Sequence, residues 1–238
     1  MKFFNVLIFI LFPHQLFAQK IVDFKSSEIQ TNLIELYTSQ GCSSCPPADK
    51  KMIELINSDD LWTKYVPLAF HVDYWDYIGW KDVYAKPAHT QRQRIHKFQS
   101  NLSSVYTPGF VINGSEWRGY YNYKNSFPES TKNPGILSAQ LDRNKLTINF
   151  NHTDKQLMFN YAVLGLGLEN AIKKGENTGK VLKHQFVVLH HDSVIDNSPA
   201  VIHGINLSKF NSKKLALAIW VSDPDSLIPI QATGGYLN

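Results

Sequence analysis

The chain has 238 residues, 43% hydrophobic and 18% charged, and its 24 Lys and Arg against 20 Asp and Glu give a formal net charge of +4. This composition is sufficient to fill a core and excludes a disordered, highly charged protein. The basic residues are dispersed without a Lys/Arg run, so we expect no nucleic-acid partner. The two cysteines, Cys42 and Cys45, are too few for a scaffold of several disulfides.

Residues 1–18 have the pattern of an export signal. Lys2 precedes an apolar run over residues 3–12, and Ala18 provides a small residue before the predicted cleavage point. The run is shorter than the roughly 20 helical residues that cross a bilayer, so we expect no stable membrane span. The sequence therefore predicts an exported protein, periplasmic or secreted, in a compartment where a thiol pair can be held as a disulfide.

Residues 19–124 alternate strand-like and helix-like patterns. In chain order we predict a strand over 32–37, a helix from Pro46 to Ile56, a strand over 65–73, a helix over 88–98 and a strand over 109–112. Proline is compatible with the first turn of a helix. Ile95 and Phe98 are the expected apolar anchors of the second helix. Asn113-Gly114 is typical of a two-residue hairpin, so the order predicts an α/β fold with a mixed sheet.

The remainder of the chain reads differently. Residues 125–134, with Asn, Ser and two prolines, are the predicted linker. Over residues 135–238 short apolar runs alternate with turn residues, and Leu157, Phe159, Tyr161 and Val163 alternate with their neighbours. This pattern predicts an all-β sandwich as a second domain.

The two cysteines follow a predicted buried strand and stand at the start of a helix. At a helix N-terminus the unpaired amides and the helix dipole stabilise a thiolate and lower the pKa of a thiol. We expect Cys42, at the exposed end, to be the attacking thiol and Cys45 to resolve the mixed disulfide. A fixed structural bridge and a metal site are the alternatives for this pair.

The order of strand, Cys-x-x-Cys and helix, followed by Thr107-Pro108 before a strand, resembles the thioredoxin fold. The resemblance implies that Pro108 is a cis proline packed against the cysteines and that Thr107 presents its backbone to a bound peptide. The chain is more closely similar to a family of exported bacterial thioredoxin-like proteins, a domain of unknown function. The matching stretches are Thr38–Asp49, Phe70–Asp82 and Gly175–Gly179.

Glu35 is the acid nearest to the position of the buried carboxylate of thioredoxin, one residue out of register. It is our candidate proton carrier beneath Cys45, and the alternative is a paired or solvated strand-end glutamate. Gln40-Gly41 stands where thioredoxin has a tryptophan before its first cysteine.

The aromatic residues Tyr74, Trp75, Tyr77, Trp80 and Tyr84 are too many for an ordinary loop. One interpretation is a groove that binds extended peptide, with Trp75 as a contact residue. The other is an apolar interface with the C-terminal sandwich.

These features predict a thiol-disulfide oxidoreductase whose partners are client protein thiols or disulfides and a redox partner. We assign it no cofactor and no metal site, because two cysteines are half of a complete zinc set. The alternatives are a non-catalytic binding module, or a copper-handling protein in which His71 joins the two thiolates.

Overall fold

The computed structural model describes residues 21–121, 126–150 and 155–237. The predicted export signal, residues 1–18, lies outside them. The helices are α1 (Pro46–Glu54) and α2 (Pro87–Phe98). The strands are β1 (Val22–Lys25), β2 (Asn32–Thr38), β3 (Tyr65–His71), β4 (Gly109–Ile112), β5 (Ser115–Glu116), β6 (Leu137–Asp142), β7 (Lys145–Phe150), β8 (Leu157–Leu166), β9 (Leu168–Ala171), β10 (Val181–His184), β11 (Val187–Asp196), β12 (Ala200–Ile202), β13 (Lys214–Ser222) and β14 (Pro229–Tyr236).

The largest element is an eight-stranded mixed sheet with the order β14-β13-β8-β11-β3-β2-β4-β5. Strands β2 and β3 are parallel, and β4 is antiparallel to β2. All seven residues of β2 and of β3 are buried, because helices and further strands cover both faces. The cysteine pair follows the C-terminal end of β2, one of the most buried strands of the sheet.

The predicted α/β pattern and the β-rich remainder are both confirmed. Each predicted strand and helix of the first half coincides with an observed element to within two residues at most ends. Asn113 and Gly114 both have positive φ angles, 49° and 75°, as the hairpin signal requires.

Of the two predicted apolar anchors of α2, Ile95 is half-buried, whereas the prediction for Phe98 is wrong. Phe98 is 89% exposed, and the face turned towards the sheet consists of polar side chains, namely His89, Thr90, Arg92, Gln93 and His96. A hydrophobic pattern could not identify this face, because polar side chains make its contacts with β2 and β3: hydrogen bonds, an ion pair and the packing of Arg92 and two histidine rings on Tyr37 and Phe70.

A second sheet, of order β1-β6-β7-β12, packs on the C-terminal part of the large sheet. Apolar side chains of β6 and β7 form one core with those of β8 and β13. In the large sheet β11 pairs in parallel with β3 through Val187 and Ala69, so strands from both sides of residues 125–134 share one sheet. The division into two domains stays a prediction. None of the helices in the described residues is long and apolar enough to cross a membrane.

Candidate functional site

Cys42 and Cys45 form a disulfide between the end of β2 and the start of α1. Their Cα atoms are 5.4 Å apart, and Cys45 is the residue that caps the helix, with Pro46 at its first position. Proline at this position costs no hydrogen bond, since the first amides of a helix have no internal partner. Cys45 therefore lies against the positive end of the α1 dipole, where a thiolate is stabilised.

The expectation that Cys42 is exposed is wrong. Both cysteines are 0% exposed, although Ser43 and Ser44 between them are open to solvent. The hydroxyl of Ser44 lies 3.3 Å from Sγ of Cys42. A thiol or thiolate from another molecule therefore has no direct path to either sulfur in this conformation.

The segment that joins β9 to β10, residues 172–180, lies beside the disulfide; we call it the cover loop. The side-chain amide of Asn177, fully buried, donates to the carbonyl oxygens of Gln40 and Cys42, at 3.0 Å in each case. Glu176 accepts hydrogen bonds from the side chain of Ser43 and from its backbone N–H, the latter at 3.1 Å, and these lower the pKa of the Glu176 carboxyl. The cover loop thus fixes the turn that carries Cys42.

Trp75 connects the cysteine turn to the predicted cis proline. Its indole Nε1 donates to Oγ1 of Thr107 at 2.7 Å. Its Cβ is so close to Gly41 that a Cβ added there would lie 3.0 Å away, which explains why glycine precedes Cys42. The Thr107–Pro108 peptide bond is cis, and Pro108 is buried. Trp75, Thr107 and Pro108 are therefore grouped on the side of Gly41.

The structure places Glu35 elsewhere. Along β2, Thr38 contacts Asp49 of α1, whereas Glu35, three residues earlier, faces α2 on the other side of the sheet. Arg92 donates to both carboxylate oxygens of Glu35, at 2.8 and 2.9 Å, and the Tyr37 hydroxyl donates at 2.8 Å. Burial raises the pKa of the Glu35 carboxyl, but Arg92 and His96 lower it by more, to well below its ordinary value. A carboxylate held in this ionised form does not carry protons to Cys45.

A different acid lies on the cysteine side of the sheet. Asp49, one turn after Cys45 on α1, accepts a hydrogen bond from Thr38 Oγ1 at 3.0 Å. Its other oxygen is 3.7 Å from Nδ1 of His184. His71, at the end of β3, completes a buried group of three, and its Nδ1 is 2.7 Å from Asp82 Oδ2.

The aromatic segment contacts the cover loop and the hairpin that carries it. Trp80 Nε1 donates to Gln40 Oε1 at 3.0 Å, and its Cβ is close to Gly175. Tyr84 packs edge-on against the rings of His71 and His184. Tyr77 is 82% exposed and free of these contacts. The segment therefore combines buried contacts with one outward-facing ring.

Five residues of the site had no predicted role: Gln40, Asp49, Asp82, Asn177 and His184. The first four lie in the stretches that carry the family resemblance, and that was the available signal. His184 is in β10 with no distinguishing neighbour, so its place beside Asp49 depends on the fold of the β9–β10 hairpin.

The fold and the site define a mixed α/β protein with a covered Cys-x-x-Cys disulfide at the start of a helix. The chain belongs to the family described as "Protein of unknown function (DUF1223)", whose model matches residues 33–222. No curated protein is significantly similar to it.

Two solved structures are similar in fold. Protein AGR_C_4864 from Agrobacterium tumefaciens is 24% identical with a TM-score of 0.63, over 90% of this chain and 96% of that one. HBP35 of Porphyromonas gingivalis is 18% identical with a TM-score of 0.57, over 89% of this chain and 76% of that one. At these identities the likeness concerns the fold alone.

Proposed function

We propose that the chain is an exported thiol-disulfide oxidoreductase that acts on proteins outside the cytoplasm through Cys42 and Cys45. The observation that carries the proposal is the Cys42–Cys45 disulfide at the N-terminus of α1, directly after a buried strand. In that position the dipole of α1 favours the thiolate that forms when the disulfide opens.

A thioredoxin-like fold for the first part of the chain belongs to the same proposal. Its support is the order of elements: parallel strands β2 and β3, α1 after the cysteines, and the antiparallel pair β4 and β5. The cis peptide bond before Pro108, immediately ahead of β4, is further support. The second sheet and its shared core support a sandwich-like arrangement for the C-terminal part.

The exchange proceeds in two displacements. A client thiolate attacks Sγ of Cys42; the bond to Cys45 breaks, a mixed disulfide forms at Cys42, and Cys45 leaves as a thiolate. A second client thiolate then attacks the client sulfur of the mixed disulfide and releases Cys42. The client dithiol loses two electrons and becomes a disulfide, while the cysteine pair gains them. The reverse sequence reduces a client, and the reduction potential of the pair sets the direction.

Exchange requires the cover to open, because both cysteines are fully buried. The contacts to be broken are the hydrogen bonds of Asn177 and Glu176 to the cysteine turn. The two buried hydrogen bonds of Asn177 are neutral and cost about 1 kcal/mol each to break, and the one to Glu176 is exposed to solvent. An opening of this size leaves the open form rare but accessible.

The export part of the proposal rests on residues 1–18. Its test is the N-terminal sequence of the protein recovered from the cells that make it, which we expect to begin at Gln19. A chain recovered with Met1 would contradict it.

The activity is tested by reduction of insulin and by oxidation of a dithiol peptide. We expect wild type to catalyse at least one of these reactions and Cys42→Ser to lose it. Cys45→Ser should accumulate mixed disulfides with clients. Lys50→Ala, which changes an exposed residue of the same helix, is the matched control and should keep the activity. A fully active Cys42→Ser protein would end the proposal.

A second function is favoured by one observation, the burial of Cys42. A disulfide that never opens would serve a non-catalytic binding module, in which the pair only fixes the turn before α1. In that case wild type and Cys42→Ser would be equally inactive in both assays, and a dithiol reductant would not open the pair in the native protein.

A further inference from the structure

A second buried group lies beneath α1, apart from the disulfide. Asp49 of α1, His71 at the end of β3 and His184 at the end of β10 each present one ligand-type atom, and these three atoms lie within 4.8 Å of one another. None of the three residues is more than 5% exposed. Three separate elements therefore converge on one enclosed point.

Two ring nitrogens in this group are without a hydrogen-bond partner in the described part of the chain, Nε2 of His71 and Nδ1 of His184. Buried polar atoms in folded proteins are nearly always paired. Oδ1 of Asp49 is 3.7 Å from His184 Nδ1, beyond hydrogen-bond distance. Two adjacent orphaned nitrogens beside a carboxylate are the expected mark of a bound ligand.

The orientation of His71 is fixed by Asp82. Asp82 accepts hydrogen bonds from the backbone N–H groups of Gln40 and Tyr84, at 2.8 and 2.9 Å, so it is an ionised acceptor. His71 Nδ1 therefore donates to it, at 2.7 Å, and the lone pair of Nε2 faces Asp49 and His184. A carboxylate behind one ring nitrogen is how proteins usually orient a histidine that binds a metal through the other.

We propose that Asp49, His71 and His184 bind a divalent transition-metal ion, and that zinc is the ion that fits best. Zinc accepts imidazole nitrogens and carboxylate oxygens at about 2.0–2.2 Å, and ligand atoms on a tetrahedral ion are then about 3.3 Å apart. Side-chain rotations that bring the three atoms closer to one another by up to about 1.5 Å achieve this. The two buried carboxylates, Asp49 and Asp82, balance the charge of the ion, and its fourth position is left for a small ligand such as water.

Binding through His184 Nδ1 requires a change at Gln40. Trp80 Nε1 can only donate, so it holds Oε1 of Gln40, and Gln40 Nε2 faces His184 Nε2 at 3.2 Å. In that arrangement the proton of a neutral His184 is on Nδ1. When the side-chain amide of Gln40 turns over, its oxygen accepts a hydrogen bond from His184 Nε2–H, and His184 Nδ1, now without a proton, can bind the metal. Gln40 then loses its present hydrogen bonds with Trp80 and Asn170. The loss of these neutral hydrogen bonds costs little free energy compared with the gain from a metal–ligand bond.

The test is calorimetric titration of zinc into metal-stripped, disulfide-intact protein, followed by elemental analysis of the complex. We expect one zinc per chain. Asp49→Asn and His184→Ala should each weaken binding by about 100-fold or more, since each removes a ligand. His203→Ala, which removes an exposed histidine, is the matched control and should bind as wild type does.

Asp49→Asn is the decisive variant, because it keeps the shape of the side chain and a partner for Thr38, and its melting temperature without zinc reports whether it folds. The Cys42→Ser/Cys45→Ser protein should still bind one zinc, which separates this proposal from the redox activity. Wild type that takes up no zinc at micromolar concentrations, or an undiminished affinity in folded Asp49→Asn and His184→Ala, would overturn it.

Discussion

The side-chain amide of Asn177 donates a hydrogen bond to the backbone carbonyl of Cys42 at 3.0 Å, although 135 residues separate the two in the chain. The same amide donates to the carbonyl of Gln40. One buried side chain therefore holds both ends of the short segment that leads into the disulfide. The cover loop is thus attached directly to the turn that carries Cys42.

The first prediction concerns this attachment. Asn177→Ala removes the two hydrogen bonds to the cysteine turn, about 1 kcal/mol each, and one from Lys180 within the loop, so the open form becomes more populated. We expect a soluble reductant to open the disulfide about 10-fold faster or more. Lys173→Ala, an exposed change in the same loop, is the control and should be reduced at the wild-type rate. Equal rates for Asn177→Ala and wild type would show that the loop does not limit access.

The second prediction concerns the bond between Trp75 and Thr107. Trp75→Phe and Thr107→Val each remove one partner of the 2.7 Å hydrogen bond. Each should lower the free energy of unfolding by about 1 kcal/mol, and the double variant should cost less than their sum by a similar amount. Urea denaturation measures the coupling. Trp80→Phe combined with Thr107→Val is the control pair and should be additive.

The third prediction concerns the buried ion pair on the other face of the sheet. Glu35→Gln leaves the Arg92 guanidinium without its charged partner, at a cost of about 3–5 kcal/mol in the free energy of unfolding. Glu169→Gln, which removes the exposed pair with Lys183, should cost less than about 1 kcal/mol. Chemical denaturation at pH 7 compares the two. A loss in Glu35→Gln no larger than in Glu169→Gln would contradict the role of this pair.

The pH dependence of the same variant has a definite sign. The pKa of the Glu35 carboxyl is lowered in the folded protein relative to its ordinary value of 4.5. Its contribution to stability is therefore present above pH 4.5 and is lost as the pH falls through the folded-state pKa. The stability difference between wild type and Glu35→Gln should be constant near neutral pH and shrink steadily below about pH 4.5. A difference that grows in acid would contradict this assignment.

The fourth prediction concerns the hairpin glycine. Gly114 has a φ of 75°, and a Cβ there would lie 2.8 Å from the Cα of Ile228. Gly114→Ala therefore combines backbone strain with a collision, and we expect it to destabilise the protein by about 1–3 kcal/mol more than strain alone. Gly204→Ala isolates the strain, because its φ is 82° and nothing lies within 4 Å of the added Cβ. Equal effects in the two variants would contradict the collision.

The elements of the first half could be predicted because their signals are local. The Pro46-Pro47 pair begins α1, Asn113-Gly114 makes a turn, and apolar runs mark β2 and β3. The parallel pairing of β11 with β3 could not be predicted. All residues of β3 are buried, so its sequence has no polar–apolar alternation that would indicate which strand lies beside it. The polar face of α2 was missed for a related reason, because it is matched to Glu35 rather than to a hydrophobic surface.

The residues of the candidate site likewise divide into those that the sequence marks and those that depend on the fold. Cys42, Cys45 and Pro108 are marked by spacing and by the order of elements around them. The hydrogen bonds of Asn177 to the cysteine turn and the group of Asp49, His71 and His184 both depend on the β9–β10 hairpin of the second half. The sequence did not show which face of the sheet Glu35 points to. Every residue of β2 is buried, so the strand has no alternation of polar and apolar positions that would distinguish its two faces.

The pairing of β11 with β3 has a practical consequence for experiments on truncated chains. A fragment that stops at residue 124 keeps the cysteines but exposes the edge of β3 that β11 pairs through Val187 and Ala69, and an exposed strand edge favours association with other chains. Such a fragment also lacks Asn177 and His184, so it would present an uncovered disulfide and an incomplete histidine pair. Experiments on the excised half would therefore describe a molecule that associates more readily than the whole protein and whose disulfide is more reactive.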